Sequence, residues 1–386
     1  MLLRISFLCL ITIITVIELG QSAYGDMGMS KYWSYEKFLE VHPDEKIIAE
    51  NFAVRVREKG QPRGTLAKPV HVAMIYPGKE ASDYWYRSAS SFEARMRELN
   101  LPYEIRPFFS KQGKNALRVQ EKQIAEALKG DPDYLIFTLD AFRHRIIIER
   151  ILARGRPKLI LQNITTPVRA WGQNQPFLYV GFDHSLGSAM LADKFLELFP
   201  EPVSYALFYG SRGYVSSMRG GGFKKNILKR GDVKLIDAYY VGFNRENAKK
   251  AALSLFENEK SVPFIYACST AIALGVIDAA KEMGRLAEVK VNGWGGGSSE
   301  LDAIEKGELD FTVMRMNDDN GVAMADAIAL DGEGRSDEVP TVYSGDMVLV
   351  EIGSDVEKLK KRAFRYSDHW QTKTDVVSVF HGMKPK

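Results

Sequence analysis

Cysteine is nearly missing from this chain. It has two in 386 residues, and one of them, Cys9, falls in the apolar N-terminal stretch "ISFLCLITIITVI". A disulfide-stapled fold is thereby excluded. The other, Cys268, sits in "FIYACSTAIAL" among apolar and small neighbours, where a buried, inert thiol is expected rather than a nucleophile. An excess of one charge is missing too. The formal net charge is +3 with 26% charged residues, and neither a basic tract nor an acidic tail occurs, which argues against a nucleic-acid partner. Long apolar runs are also scarce. The run from Ile5 to Ile17 falls short of the roughly 20 residues that cross a bilayer, and no comparable run follows it. With "MLLR" before it and the small residues Ala23 and Gly25 after it, the run reads as a signal peptide, residues 1–25, cut after Gly25. The expected product is soluble and exported, with no membrane insertion after cleavage.

Catalytic signatures are wanting as well. "GWGGGSSE" (293–300) has four glycines around Trp294, yet neither register matches G-x-G-x-x-G and no lysine completes a phosphate loop. The triple glycine at 220–222 is followed by "FKKN" and fails in the same way. The first loop reads instead as a place where the backbone turns sharply and approaches something closely, with Trp294 offering a ring face. No G-x-S-x-G elbow or H-E-x-x-H pair supports a secreted hydrolase, the weakest of the functional classes considered. The six histidines show no metal-ligand spacing, so no metal or other cofactor is expected.

Short apolar runs do recur: "HVAMIYP", "DYLIFTL", "KLILQN", "FLYVGF", "SYALFYG", "FIYAC", "VKVNGW", "DFTVMRM" and "MVLVEI". Most are followed by segments with helical periodicity. Continuous apolar strands alternating with helices predict an α/β fold with parallel sheets covered on both faces. About 360 residues would remain after cleavage, enough for two lobes. Ligands of such sheets sit beyond the carboxyl ends of the strands. The segments in those places, among them "PGKEASDYW", "QNITTPVRAW", "GSRGYVSSMRGGG", "CSTAIALG", "GWGGGSSE" and "RMNDDNG", are rich in hydroxyl, amide, guanidinium and aromatic side chains. That mixture suits a small polyhydroxylated ligand. By position alone, Ser82 and Asp319 read as helix caps, and Trp85 belongs to a core stripe with Ala89, Phe92, Met96 and Leu99.

The blocks "SDYW", "LILQNITTPVR", "QPFLYVGFDH", "FIYACST", "NGWGGGS", "TVMRMNDD", "PTVYSGD" and "KKRAFRYSD" together resemble the LuxP-type autoinducer-2 receptors of the sugar-type periplasmic binding protein family, from about Tyr32 to Asp368. The resemblance implies two similar lobes, each a parallel sheet with helices on both faces, joined by three crossover strands. It assigns 26–68 to an N-terminal arm, 69–180 and 317–336 to the first lobe, 181–316 and 337–369 to the second, and 370–386 to a tail. It also implies a periplasmic location, no enzymatic activity, a furanosyl borate diester held between the lobes, and the periplasmic domain of a LuxQ-like sensor histidine kinase as partner. The ligand-contacting positions it carries over are Ser82, Trp85, Asn163, Arg219, Thr270, Trp294 and Arg315, the two arginines facing the borate's negative charge. Two positions depart from the pattern: Glu80 stands where the family has glutamine, and Ala271 where it has aspartate. These departures bear on the pocket and leave a borate-free signal, or a pentose or hexose delivered to an ABC importer, as alternatives.

Overall fold

The computed structural model describes residues 30–63, 68–77, 82–110, 116–138 and 142–368. The expected signal peptide, Glu80 and the 370–386 tail lie outside these residues. In chain order the strands are β1 (Val70–Pro77), β2 (Tyr103–Ser110), β3 (Tyr134–Thr138), β4 (Lys158–Gln162), β5 (Leu178–Gly181), β6 (Val203–Tyr209), β7 (Val233–Tyr240), β8 (Phe264–Ala267), β9 (Lys290–Gly295), β10 (Phe311–Arg315), β11 (Val342–Ser344) and β12 (Met347–Glu351). They form two six-stranded sheets, ordered β11-β5-β4-β3-β1-β2 and β12-β10-β9-β8-β6-β7. The central strands β3 and β8 are buried along their whole length, which explains their uninterrupted apolar runs.

Side chains alternate across the first sheet and so build two cores. Val72, Met74, Ile136 and Ile160 face helices Tyr84–Glu98 and Asp318–Gly332, through residues such as Phe92, Met96 and Ile328. Ala73, Ile75, Leu135 and Leu161 face helices Ala116–Lys129 and Phe142–Arg154, through Ile124, Ala127, Ile148 and Ile151. The expected two-lobed α/β architecture is therefore present. One strand departs from the parallel rule, since β12 runs antiparallel to β10 with Met314 opposite Val348.

The chain passes between the sheets three times: after β5, after β10 and between β11 and β12. The last passage lies later than expected. Residues 337–344 were assigned to the second lobe, but Val342–Ser344 pairs in parallel with Tyr179–Gly181 of the first. Glu45 of the arm fixes that return, accepting from the Thr341 backbone N–H at 2.8 Å and from its hydroxyl at 2.5 Å. The arm itself is packed onto the first lobe, with Phe52 and Val56 in one core and Tyr32 and Phe38 in the other. The C-terminal end of the described chain also comes back. After helix Val356–Ala363 on the second lobe, the Tyr366 and Ser367 backbone N–H groups donate to Asp318 at 2.7 and 2.9 Å. Residues 365–367 thus touch the first lobe, although the sequence reading counts them with the second.

Arg95 joins the two long helices of the first lobe. Its guanidinium donates to both carboxylate oxygens of Asp326, at 3.2 and 2.9 Å, and to the Glu58 and Arg55 carbonyls at 3.0 and 3.2 Å. Both partners are buried, so removing the Asp326 carboxylate takes the two-pronged partner from a core charge and leaves Arg95 with Glu98, at 2.9 Å and less deeply buried, as its described carboxylate. Asp326→Ala should therefore lower unfolding free energy by about 3–5 kcal/mol, measured by guanidinium titration.

Candidate functional site

A cavity between the lobes is lined by Ser82, Trp85, Asn163, Arg219, Thr270, Ala271, Trp294 and Arg315, together with Pro77, Tyr84, Thr138, Val215, Phe243 and Ser269. Of the residues singled out from the sequence, only Glu80 falls outside the described structure; the other eight share this one space. Its volume is about 80 Å³, several times the ~10–15 Å³ that one ordered water needs in the same measure. That is room for a small molecule or a few waters.

Both sheets aim strand ends at this space. Pro77, Thr138 and Arg315 end β1, β3 and β10, Trp294 is the next-to-last residue of β9, and Ser269–Ala271 follow β8 into helix Thr270–Glu282. Asn163 follows β4 with a left-handed backbone, φ 66°, and its buried side-chain oxygen has no hydrogen-bond partner among the described residues. Trp85 is both things the sequence suggested: it belongs to the first-lobe core and it lines the cavity. Ser82 does not occupy the cap position, which is Asp83; it stands one residue earlier, accepts the Tyr84 N–H at 3.3 Å and faces the cavity. Asp319 does not cap its helix. Its carboxylate pairs with Arg365.

Arg219 and Arg315 are each only 5% exposed. Arg219 sits in a π-helical turn, Ser217–Gly221, a local widening that is common at functional sites. Its Nε lies 3.2 Å from His184 Nδ1, its Nη1 donates to the Cys268 carbonyl at 3.0 Å, and its guanidinium stacks 3.7 Å from the Trp294 ring centre. No described carboxylate lies within ion-pair distance of it. Burial, and then the charge of Arg315, pull its pKa down to about 9. Arg315 lies 3.9 Å over the Tyr84 ring and 6.0 Å from the Trp294 ring centre. Asn320 supports that platform, donating from its amide to the Tyr84 hydroxyl at 2.7 Å. Asp318 and Asp319, which follow Arg315 closely in the chain, bond to Ser367 and Arg365. Cys268 is buried, and that burial pushes its thiol up to about 12, in keeping with an inert role.

The glycine run around Trp294 is explained by close approach. Gly295 has φ 133°, and a Cβ there would stand 2.5 Å from Arg315 Nη2. A Cβ on Gly297 would stand 2.5 Å from Asp83 of the first lobe. Asp83 accepts from the Ser298 hydroxyl at 2.9 Å, and Arg87 Nη2 donates to the same oxygen at 2.9 Å. The loop therefore makes room for an arginine on one side and for the facing lobe on the other.

Of the lining residues not expected, Pro77, Tyr84, Val215 and Ser269 lie in the post-strand segments already flagged. Phe243 does not. It follows β7, an edge strand whose charged, half-exposed sequence hides it from an apolar-run reading, and its backbone is left-handed with φ 54°.

A family model described as a periplasmic binding protein domain matches residues 72–334. Solved structures share the fold. An ABC transporter solute-binding protein from Actinobacillus succinogenes 130z with bound D-allose has 17% identity and a TM-score of 0.64, covering 76% of this chain and 100% of that one. One from Bacillus halodurans C-125 with bound myo-inositol has 18% identity and a TM-score of 0.64, covering 79% and 99%. The fructose-binding periplasmic domain of a hybrid two-component system has 17% identity and a TM-score of 0.66, covering 81% and 100%. At such identities the likeness establishes the fold alone.

Gly297→Ala tests whether the rim must close. Its methyl group would collide with Asp83 only when the lobes meet, so the melting temperature of the ligand-free protein should hold while ligand affinity falls at least about tenfold, or ~1.4 kcal/mol. Calorimetric titration and thermal melts of the same preparation provide both readings.

Proposed function

Because this chain belongs to the periplasmic binding protein family, we propose that it is an extracytoplasmic receptor that closes its two lobes over a small polyhydroxylated ligand, a sugar or a sugar-like compound. The observation that carries this reading is the shared cavity. Ser82, Trp85 and Asn163 come from one lobe and Arg219, Thr270 and Trp294 from the other, with Arg315 at a crossover. A ligand touching both walls binds the closed form better than the open one, and only that difference in affinity moves the population. Amide, hydroxyl and indole groups suit sugar hydroxyls and sugar ring faces. The sugars and polyol bound by the structural neighbours are compatible with this chemistry.

A finer reading, autoinducer-2 as its borate diester, is favoured by one observation. Arg219 is buried without a described carboxylate and stacks on Trp294, whose ring centre is 6.0 Å from the Arg315 guanidinium. A guanidinium fork suits paired oxygens on an anionic centre, and each hydrogen bond to a charged group contributes about 1.5–3 kcal/mol. Ala271, at the cavity wall, supplies no acceptor for ligand hydroxyls, which leaves the neutral or borate-free form of the signal in contention. The listener on this reading is a LuxQ-like sensor kinase. On the sugar reading it is an importer, and the named neighbours include both a transport component and a two-component sensor domain.

Calorimetric titration with D-ribose, D-allose, myo-inositol and autoinducer-2, the last with and without borate, separates these readings. An anionic ligand should lose tenfold to a hundredfold in affinity with Arg219→Met, or about 1.5–3 kcal/mol. Neutral sugars binding tightly, and unaffected by that substitution, would refute the anionic reading and leave the sugar reading standing. Ala271→Asp should tighten the binding of hydroxyl-rich ligands about tenfold by restoring a carboxylate acceptor. Unchanged affinity would show that the position does not touch the ligand.

A further inference from the structure

His184 opens helix His184–Leu198 just after the first passage between the lobes, and its side chain is completely buried. Its Nε2 lies 3.2 Å from the backbone carbonyl oxygen of Asn163, and its Nδ1 lies 3.2 Å from Nε of Arg219. An arginine Nε–H can only donate, so Nδ1 must present its lone pair. The ring's one proton then sits on Nε2 and is donated to the carbonyl. A single neutral imidazole, in one tautomer, satisfies both contacts; an imidazolium would set N–H against N–H.

The surroundings enforce that state from every side. The guanidinium groups of Arg219 and Arg315 disfavour a second proton, while Trp294 and Tyr214 cover the ring at centroid distances of 5.1 and 5.8 Å. Burial first, and then Arg219, hold the imidazole well below its ordinary range, with only the Asn163 carbonyl acting in the other direction. Three residues of the cavity wall, Asn163, Arg219 and Trp294, meet at this ring, and the first comes from the other lobe.

We propose that His184 is a positioning residue for ligand recognition, a permanently neutral acceptor that fixes the orientation of the Arg219 fork and ties it across the hinge to the Asn163 turn. Arg219 spends Nε on His184 and Nη1 on the Cys268 carbonyl, which leaves its Nη2 hydrogens for the cavity it lines. Without the Nδ1 acceptor the guanidinium could rotate about its last bonds, and a bidentate grip on paired ligand oxygens would be lost. The idea rests on the ligand-binding reading above for its purpose, but its geometry can be tested without any ligand.

In the full chain free of ligand, nitrogen-15 resonances of His184 should report the Nε2–H tautomer and stay constant from pH 5 to 8. The Arg219 Nε–H should exchange slowly with water. His184→Phe keeps a ring but neither hydrogen bond, and should speed that exchange at least tenfold. His184→Gln, with an amide donor and a carbonyl acceptor, should restore most of the protection. A ring that titrates between pH 5 and 8, or that carries its proton on Nδ1, overturns the proposal even if no variant folds. So does Arg219 exchange that is equal in wild type and His184→Phe. Titration of the three proteins with autoinducer-2 plus borate and with D-ribose comes last. Phe should weaken whichever ligand binds wild type at least tenfold, and Gln should stay within about threefold. Equal weakening by both substitutions overturns the positioning role. Failure of wild type to bind either probe counts against the ligand assignment and leaves the resonance results to decide on His184.

Discussion

Two guanidinium groups, both buried in the wall of one cleft, set the terms for the rest of this molecule. Removing a cation from water costs several kcal/mol even after relaxation, and among the described residues Arg219 meets neutral partners: a carbonyl, an imidazole and an indole face. Stacking on a desolvated aromatic ring can return about 2 kcal/mol, and each hydrogen bond to the charge about 1.5–3 kcal/mol. Those contacts make the charge tolerable without neutralising it, and Arg315 adds repulsion. The neighbouring residues follow from that constraint. Gly295 gives up its side chain so that Arg315 can approach. Cys268 contributes its backbone carbonyl, not its thiol.

Against that desolvation stands the rim. Asp83, Arg87 and Ser298 exchange hydrogen bonds between the lobes at 2.9 Å, and Arg87 also donates to the Ser367 carbonyl at 2.8 Å, with its guanidinium 3.7 Å over the ring of Phe364. Neutral hydrogen bonds contribute only about 1 kcal/mol each and charged ones somewhat more. The rim therefore favours closure by an amount comparable with the cost of taking the Arg219 guanidinium out of water. Two opposing terms of similar size leave an equilibrium that a ligand's own contacts can tip, which is the condition a binding switch must meet. A much stronger rim would shut the empty cleft, and a much weaker one would demand more of the ligand.

How much of this can be read from the residues depends on where they sit in the sheets. Central strands such as β3, β4 and β8 are apolar on both faces, so their runs stand out and the segments after them point to the cavity. Edge strands β2 and β7 have charges and half-exposed positions, and β11 has only three residues. None of the three is legible as a strand, so Phe243 goes unmarked and the last passage between the lobes is placed too early. Trp85 shows a different limit. Its spacing shows that it packs in the core, and this is true, but spacing cannot show that the same ring has an edge on the cleft. The arginines are chemically ambiguous in the sequence and were marked through resemblance. Their burial beside Trp294 is a property of the assembled loops.

On the proposed reading the cleft selects the ligand and the outer surface the partner, and the arm bears on how the two can be joined. Its helices are stitched to the first lobe through Phe52, Val56 and the Glu45 contacts to Thr341, and Trp33 donates its backbone N–H to the Pro167 carbonyl at 2.8 Å. The arm must then travel with the first lobe when the cleft shuts. The helix that begins at His184 packs into the second-lobe core through Leu191, Ala192 and Phe195, so it travels with the second. A partner that touches only one of these bodies sees the same surface in both states. One that spans the arm and the second lobe sees a surface that exists only when the cleft is closed. Transport and signalling components can therefore share this fold and this kind of pocket, because what separates them is the span of the partner's contact and not the chemistry of the cavity.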